Sequence, residues 1–262
     1  MNIICLTLVS FTAGFIGTLA GGGSNLVLMP LIDSLLGSQA VPPVVTTGMM
    51  LSNSQKIFLF RQDINWQVVQ WYLPGAGVGA FLGAYLFTCA NLEGLQILIG
   101  LFLVTTVFSS SFSKQEKSFN VRAWYFLLAG FFCSFVSGII GSTGPALNTF
   151  YLNYGLNKEQ MIATKAANVL VVNLTKMLIY AVCGVLTKHY IFYGLAIGMA
   201  AAPANWIAQL VLKKISDEWF KHLVNGLTIV SGILILWEQR SSFFGLVNYL
   251  FIQIYLLTTL LF

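Results

Sequence analysis

The chain has 262 residues, of which 57% are hydrophobic and 8% are charged, and its formal net charge is +5. Soluble domains carry roughly 25% charged residues, so a water-soluble fold would have to expose most of this apolar surface. The composition therefore excludes an ordinary soluble protein and indicates a lipid bilayer as the surrounding medium. The basic residues lie in short connections, as membrane topology predicts, and give no sign of binding to nucleic acid.

Apolar runs that are poor in charge predict nine helices along the chain. They lie at 3–36, 40–60, 66–88, 92–111, 123–155, 160–183, 190–212, 217–238 and 242–262. The first and fifth runs are interrupted, by GGGSN at 21–25 and by GSTGP at 141–145. Glycine and proline should break a helix there, which membrane proteins tolerate only inside protein or beside a cavity. The sequence thus predicts an all-α polytopic membrane protein with two broken or re-entrant helices.

The two halves of the chain resemble each other, which predicts two transmembrane repeats. The tripeptide AGF recurs at 13–15 and 129–131, each time ahead of a glycine-rich break, and Asn53 has its counterpart at Asn173. Internal repeats with breaks at matching positions point to a transporter binding site. The predicted units are a first repeat at 1–120, a second repeat at 121–240, and an extra C-terminal helix at 241–262. This last helix either spans the bilayer or lies on its surface.

The basic residues of the loops distinguish two topologies. If both interrupted runs cross the membrane, these residues divide 7 to 4 between the faces, whereas re-entrant runs divide them 9 to 2. The second division fits the positive-inside rule better. Its nine cytoplasmic residues are Lys56, Arg61, Lys114, Lys117, Arg122, Lys158, Lys213, Lys214 and Lys221. Each half then has three spanning helices, so the repeats are inverted, the N-terminus is outside, and the two breaks meet near the midplane.

Both breaks have the features expected of an anion-binding site. A helix that starts after a break directs free N–H groups and the positive end of its dipole towards it. Serine and threonine hydroxyls would add further donors. The alternative is that the small residues only let helices pack closely. The candidate site residues at the breaks are Gly21, Gly22, Gly23, Ser24, Asn25, Ser142, Thr143, Gly144 and Pro145.

Polar residues in the helices that follow the breaks extend the candidate site. They are Asn53, Thr164, Asn168, Asn173 and Lys176. The asparagines could instead form hydrogen bonds between helices. A lysine at the centre of a span costs about 2.5–3.5 kcal/mol, so the deeply placed Lys176 is the candidate counter-charge for an anion. Lys56 and Lys165 lie closer to the cytoplasmic loops, and we expect them to serve topology or to snorkel.

Several classes of function lack their motifs. The sequence contains no nucleotide-binding phosphate loop, no zinc protease motif, no nucleophile elbow and no paired carboxylates. No carboxylate is firmly placed at the midplane, so a buried proton relay is not visible and no coupling ion is identified. We therefore expect neither an enzyme nor a bound cofactor or metal.

Several segments together resemble the TauE/SafE sulfite exporter family. They are AGFIGTLAGGGSNLVLMPLI from residue 13, RQDINW at 61–66, the second glycine motif from residue 129, and NLTKMLIYAVCG at 173–184. The resemblance covers about residues 10–238. It implies a multi-pass permease of the inner (plasma) membrane for small sulfur-containing anions, with Gly21–Asn25 and Ser142–Pro145 at the core of the site. The family commonly has a further glycine and an apolar residue where this chain has Ser24 and Asn25, which suggests a different substrate or subfamily.

The combined interpretation is a secondary transporter of sulfite, thiosulfate, sulfoacetate or another sulfonate. The anion would bind between the two breaks, and alternating access would rock one repeat against the other. A passive anion channel and a non-transporting membrane scaffold are the alternatives. The expected partners are the small anion and the lipid bilayer, with no nucleic acid, and a homodimer is compatible with the sequence.

Overall fold

The computed structural model describes residues 2–19, 21–22, 24–89, 121–143 and 147–226. Within these residues all regular secondary structure is helical. The α-helices are α1 (Asn2–Leu19), α2 (Ser24–Leu36), α3 (Val41–Leu59), α4 (Trp66–Cys89), α5 (Tyr125–Ile140), α6 (Asn148–Asn153), α7 (Lys158–Val182) and α8 (Lys188–Leu212). Residues 217–226 are also helical, and short 3₁₀ turns lie at Ser38–Ala40 and Arg61–Asp63. The helices predicted at 92–111 and 242–262 lie outside the described residues.

The exterior of the helix bundle is apolar, as contact with lipid requires. Among the described helices, α4, α7 and α8 are long and apolar enough to cross a membrane, and α1 and α5 contain shorter apolar stretches. Large apolar side chains face outwards, and those of Leu8, Phe132 and Met199 are 61–67% exposed. Such an extended apolar surface would cause aggregation in water. The predicted all-α polytopic membrane fold is confirmed.

Each interrupted run is a helical hairpin in which the second helix folds back on the first. In the first run, Leu6 near the start of α1 shares a buried cluster with Leu28 and Ile32 of α2. In the second run, the ring of Phe126 at the start of α5 lies 5.2 Å from that of Tyr151 and 5.6 Å from that of Tyr154 at the end of α6. Neither run is a straight helix, so neither carries the chain from one end of the bundle to the other.

Contacts between the long helices define their relative directions. Helices α3 and α8 run parallel, because Asn205 donates to Ser52 Oγ at 3.1 Å and Gln209, one turn on, donates to the carbonyl of Leu59 at 2.9 Å. Helix α7 runs antiparallel to α3, because its start contacts Asn65 beyond the end of α3 and its own end lies at the second break, beside the start of α3.

Apolar packing forms two buried clusters, each in its own bundle of helices, and α3 of one bundle also packs along α7 of the other. The first bundle contains α1, α2, α3 and α8 around the cluster of Leu6, Ile32, Val44 and Ile197. The second bundle contains α4, α5, α6 and α7 around the cluster that includes Tyr72, Phe126, Tyr151 and Met161. Helix α4 of the N-terminal half thus packs in the second bundle, and α8 of the C-terminal half packs in the first. The packing units therefore differ from the two segments that the sequence repeat defines.

The closest helix contact lies between α4 and α5. Gly75, Gly79 and Gly83 form one stripe on α4, and a Cβ atom on any of them would overlap a backbone carbonyl of α5. Small residues at spacings of four let helix backbones approach closely in membranes. This contact holds α5, and with it the second break, against α4.

Candidate functional site

The first break is a tight glycine turn at the end of α1. The N–H of Gly22 donates to the carbonyl of Gly17 at 2.6 Å, which closes the last turn of the helix. Gly21 and Gly22 have φ angles of +63° and +137°, a region that favours glycine. Helix α2 then starts at Ser24, so close to Gly17 that a Cβ on this glycine would lie 2.7 Å from the Ser24 Cβ. The glycines are therefore needed for the chain reversal itself.

The second break follows α5 and is held by a lysine. Gly141 ends the helix with a φ of +103°, and its N–H donates to the carbonyl of Ser137 at 2.9 Å. The fully buried Lys176 donates from Nζ to the carbonyl of Gly141 at 2.7 Å and to Ser137 Oγ at 3.1 Å. A cation is favourable at a helix C-terminus, where carbonyl groups lack partners. Lys176 therefore caps α5.

The two breaks lie side by side. Asn25 Nδ2 donates to Ser142 Oγ at 2.5 Å, which joins the first break to the second. Lys165 Nζ donates to the carbonyl of Gly21 at 2.5 Å and to Asn148 Oδ1 at 2.6 Å, so it connects the first break to the start of α6. Two lysines of α7 thus donate to backbone carbonyls at the breaks, Lys165 at the first and Lys176 at the second.

A cavity of about 60 Å³ lies where the breaks meet, between the two bundles. A water molecule needs roughly 10–15 Å³ by the same kind of measure, so the cavity has room for a few waters or a small solute. From the first bundle it is lined by the first break and by Asn53 and Lys56 of α3. From the second bundle it is lined by Ser142, Thr143 and residues of α4 to α7 that include Lys165 and Asn173. Among its described lining residues there is no aspartate or glutamate.

Three asparagines place unpaired amide atoms at the cavity. Asn173 is 1% exposed and neither its Nδ2 nor its Oδ1 has a hydrogen-bond partner among the described residues. Asn53 Nδ2 and Asn25 Oδ1 are buried and unpaired in the same way. Buried polar groups almost always have partners, so these atoms indicate water or a ligand in the space that they line.

The residues predicted from the sequence fall into three groups. Those that line the cavity are Gly21, Gly22, Ser24, Asn25, Asn53, Ser142, Thr143 and Asn173. Those that lie away from it are Thr164, Asn168 and Lys176, and each has another contact. The hydroxyl of Thr164 accepts from the N–H of Asn65 at 2.9 Å, and Asn168 donates to the hydroxyl of Tyr151 at 2.9 Å. Gly23, Gly144 and Pro145 lie outside the described residues.

Sequence reasoning did not assign Lys56 and Lys165 to the site, yet both line the cavity. One signal for Lys56 was available, because it follows Asn53 by three residues and so lies on the same helix face. Ser134 and Ser137 have the same spacing in the otherwise apolar α5, and both also line the cavity. Among the described residues, no group of three or more His, Cys, Asp or Glu side chains could hold a metal ion.

Comparison with known protein families finds a match that covers most of the chain. Residues 6–235 match the family described as sulfite exporter TauE/SafE. No curated protein and no solved structure matches the chain. The matched range contains both breaks and every described residue that lines the cavity. The chain therefore belongs to the sulfite exporter TauE/SafE family, a family of membrane transporters.

Proposed function

We propose that the protein is a secondary transporter that carries small sulfur-containing anions across the inner (plasma) membrane. Sulfite, thiosulfate, sulfoacetate and other sulfonates are the candidate substrates. The observation that carries the proposal is the cavity between the breaks. It is lined by two lysines and several hydroxyl and amide groups, and its described lining contains no carboxylate.

The chemistry of this lining favours a negatively charged solute. Inside a membrane protein a charged group is expensive, so lysines at this depth require a partner of opposite charge or water. The hydroxyls of Ser142 and Thr143 can donate to the oxygen atoms of an oxyanion, as can the amide nitrogens of Asn53 and Asn173. At the first break, the 13-residue helix α2 directs its N-terminus towards the same region.

Alternating access would move the two bundles against each other. The cavity lies between the bundles, so rotation of one against the other would open it first to one side of the membrane and then to the other. The links between Asn25 and Ser142 and between Lys165 and Gly21 cross from one bundle to the other and would have to open. The parallel pair α3 and α8, with α7 antiparallel to both, supports two repeats of inverted orientation, as the loop charges predict.

Flux measurements on purified protein in proteoliposomes test this function. We expect saturable uptake of radiolabelled sulfite or thiosulfate that unlabelled sulfoacetate inhibits and that monocarboxylates inhibit less. Trans-stimulation by anion inside the liposomes would indicate a carrier, because a channel does not couple the two directions. The absence of flux above that of empty liposomes for every sulfur-containing anion would contradict the proposal. Non-saturating flux without trans-stimulation would indicate a channel instead.

A further inference from the structure

Lys56 is a half-buried lysine whose ammonium group has no bonded partner among the residues that the structure describes. It lies near the cytoplasmic end of α3 and lines the cavity. Among the described residues, no hydrogen bond or salt bridge reaches its Nζ, whereas Lys176 donates to the carbonyl of Gly141. Because an ammonium group carries three donor hydrogens, an interior lysine without partners needs water or a ligand beside it.

Lys165 brings a second positive charge to the same cavity from the opposite side. It belongs to α7 of the second bundle, whereas Lys56 belongs to the first bundle. Its contacts with Gly21 and Asn148 fix its position, so it acts chiefly through its charge. Both side chains line the same cavity of about 60 Å³, so their charges lie near each other. Like charges at this range repel, and no described carboxylate lines the cavity to compensate them.

We propose that the cavity selects doubly charged anions, and that Lys56 is the residue that distinguishes them from singly charged ones. This inference rests on the proposed function and adds the charge class of the substrate. A dianion compensates both ammonium groups, whereas a monoanion leaves one buried positive charge without a counter-charge. Asn53, one turn before Lys56, and Asn173 on α7 have free amide nitrogens with which to orient the anion's oxygen atoms.

The same arrangement links the charge of the substrate to closure of the site. Lys56 and Lys165 come from different bundles, so their repulsion opposes close approach of the bundles while the cavity is empty. A dianion between them replaces this repulsion with two attractions. A dianion would thus bind the closed state more tightly than the open state. A ligand drives a conformational change only through such a difference in affinity.

Thiosulfate and methanesulfonate provide the test, because they are similar in size and shape but carry two charges and one charge. Binding of each anion to the purified protein is measured by calorimetry, and flux of each is measured in proteoliposomes. The variants are Lys56→Gln, which removes the charge, and Lys56→Arg, which keeps it. Lys188→Gln is the matched control, because it removes one exposed charge at the start of α8, away from the cavity.

We expect the wild-type protein to bind thiosulfate at least about tenfold more tightly than methanesulfonate. Lys56→Gln should lower this ratio of dissociation constants by about tenfold, whereas Lys56→Arg and Lys188→Gln should keep it. Equal wild-type affinities would overturn the inference whether or not the variants fold, and so would an unchanged ratio in Lys56→Gln. Flux without charge selectivity would contradict the inference alone, and selective binding without flux would contradict only the proposed function. Binding of neither anion would contradict both.

Discussion

Asn25 donates a hydrogen bond from its Nδ2 to the Oγ of Ser142 at 2.5 Å, although 117 residues separate them in the chain. Asn25 lies in α2 of the first bundle, and Ser142 follows α5 of the second. The bond therefore closes one wall of the cavity with one residue from each bundle. In alternating access it must break when the bundles separate, so it offers a direct means to arrest the cycle.

A covalent link in place of this hydrogen bond should stop transport. Asn25→Cys and Ser142→Cys are combined in a chain whose native cysteines are replaced, and a short disulfide-cleavable cross-linker joins the two thiols. We expect cross-linking to abolish anion flux in proteoliposomes and reduction of the linker to restore it. The physical reason is that the link prevents the bundles from separating.

A matched pair within one bundle controls for damage by the cross-linker. Asn205 of α8 donates from Nδ2 to Gln55 Oε1 of α3 at 3.1 Å, and both belong to the first bundle and lie away from the cavity. Gln55→Cys combined with Asn205→Cys should tolerate the linker, with flux close to that before cross-linking. Equal loss of flux in both pairs would argue against bundles that move as units.

A substitution at Thr143 tests whether the cavity binds the transported anion. Thr143→Leu replaces a hydroxyl donor with a larger apolar side chain in a lining position, so we expect flux to fall to the level of empty liposomes while membrane insertion stays normal. Thr12→Leu, at an exposed position of α1, is the control for hydrophobicity and should transport normally. A Gly22→Leu variant is less decisive, because the φ of +137° at Gly22 would strain any larger residue. Normal flux in Thr143→Leu would contradict the site.

The sequence predicted the described helices and both breaks because length, charge and glycine clusters act locally. It also predicted that the runs turn back, since loop charges report on which side the chain emerges. It did not predict the exchange of α4 and α8 between bundles, which depends on contacts such as that of Gly79 with α5. It misjudged Lys56 because distance from a helix end gives the depth of a side chain but not whether it faces lipid or a cavity.

Substitution of Lys176 distinguishes a role in capping α5 from a role in substrate selection. Lys176→Ala leaves the carbonyls of Ser137 and Gly141 without their charged donor, so we expect a loss of about 1–3 kcal/mol in stability. The distorted second break should also raise the half-saturation concentration for flux, to a similar extent for thiosulfate and methanesulfonate. Thermal unfolding in detergent and flux kinetics measure the two effects.

Lys188→Ala, at an exposed position, is the control for this variant and should change neither quantity. A selective loss of thiosulfate affinity in Lys176→Ala would mean that Lys176 acts as a counter-charge, as the sequence predicted. An unchanged unfolding temperature would contradict the capping role.

The contact of α4 with α5 should depend on single glycines in a position-specific way. A Cβ at Gly79 would overlap the carbonyl oxygen of Phe131, and neither backbone can yield without separating the helices. Gly79→Ala should therefore lower stability by about 1–3 kcal/mol, seen as earlier loss of the monodisperse peak in size-exclusion chromatography after heating. Gly77→Ala lies on the same helix with open space at its Cβ position, so the higher helix propensity of alanine should preserve stability or raise it by up to about 1 kcal/mol. Equal stability of the two variants would mean that the helices do not approach as closely as the structure indicates, because only the contact with α5 distinguishes the two positions.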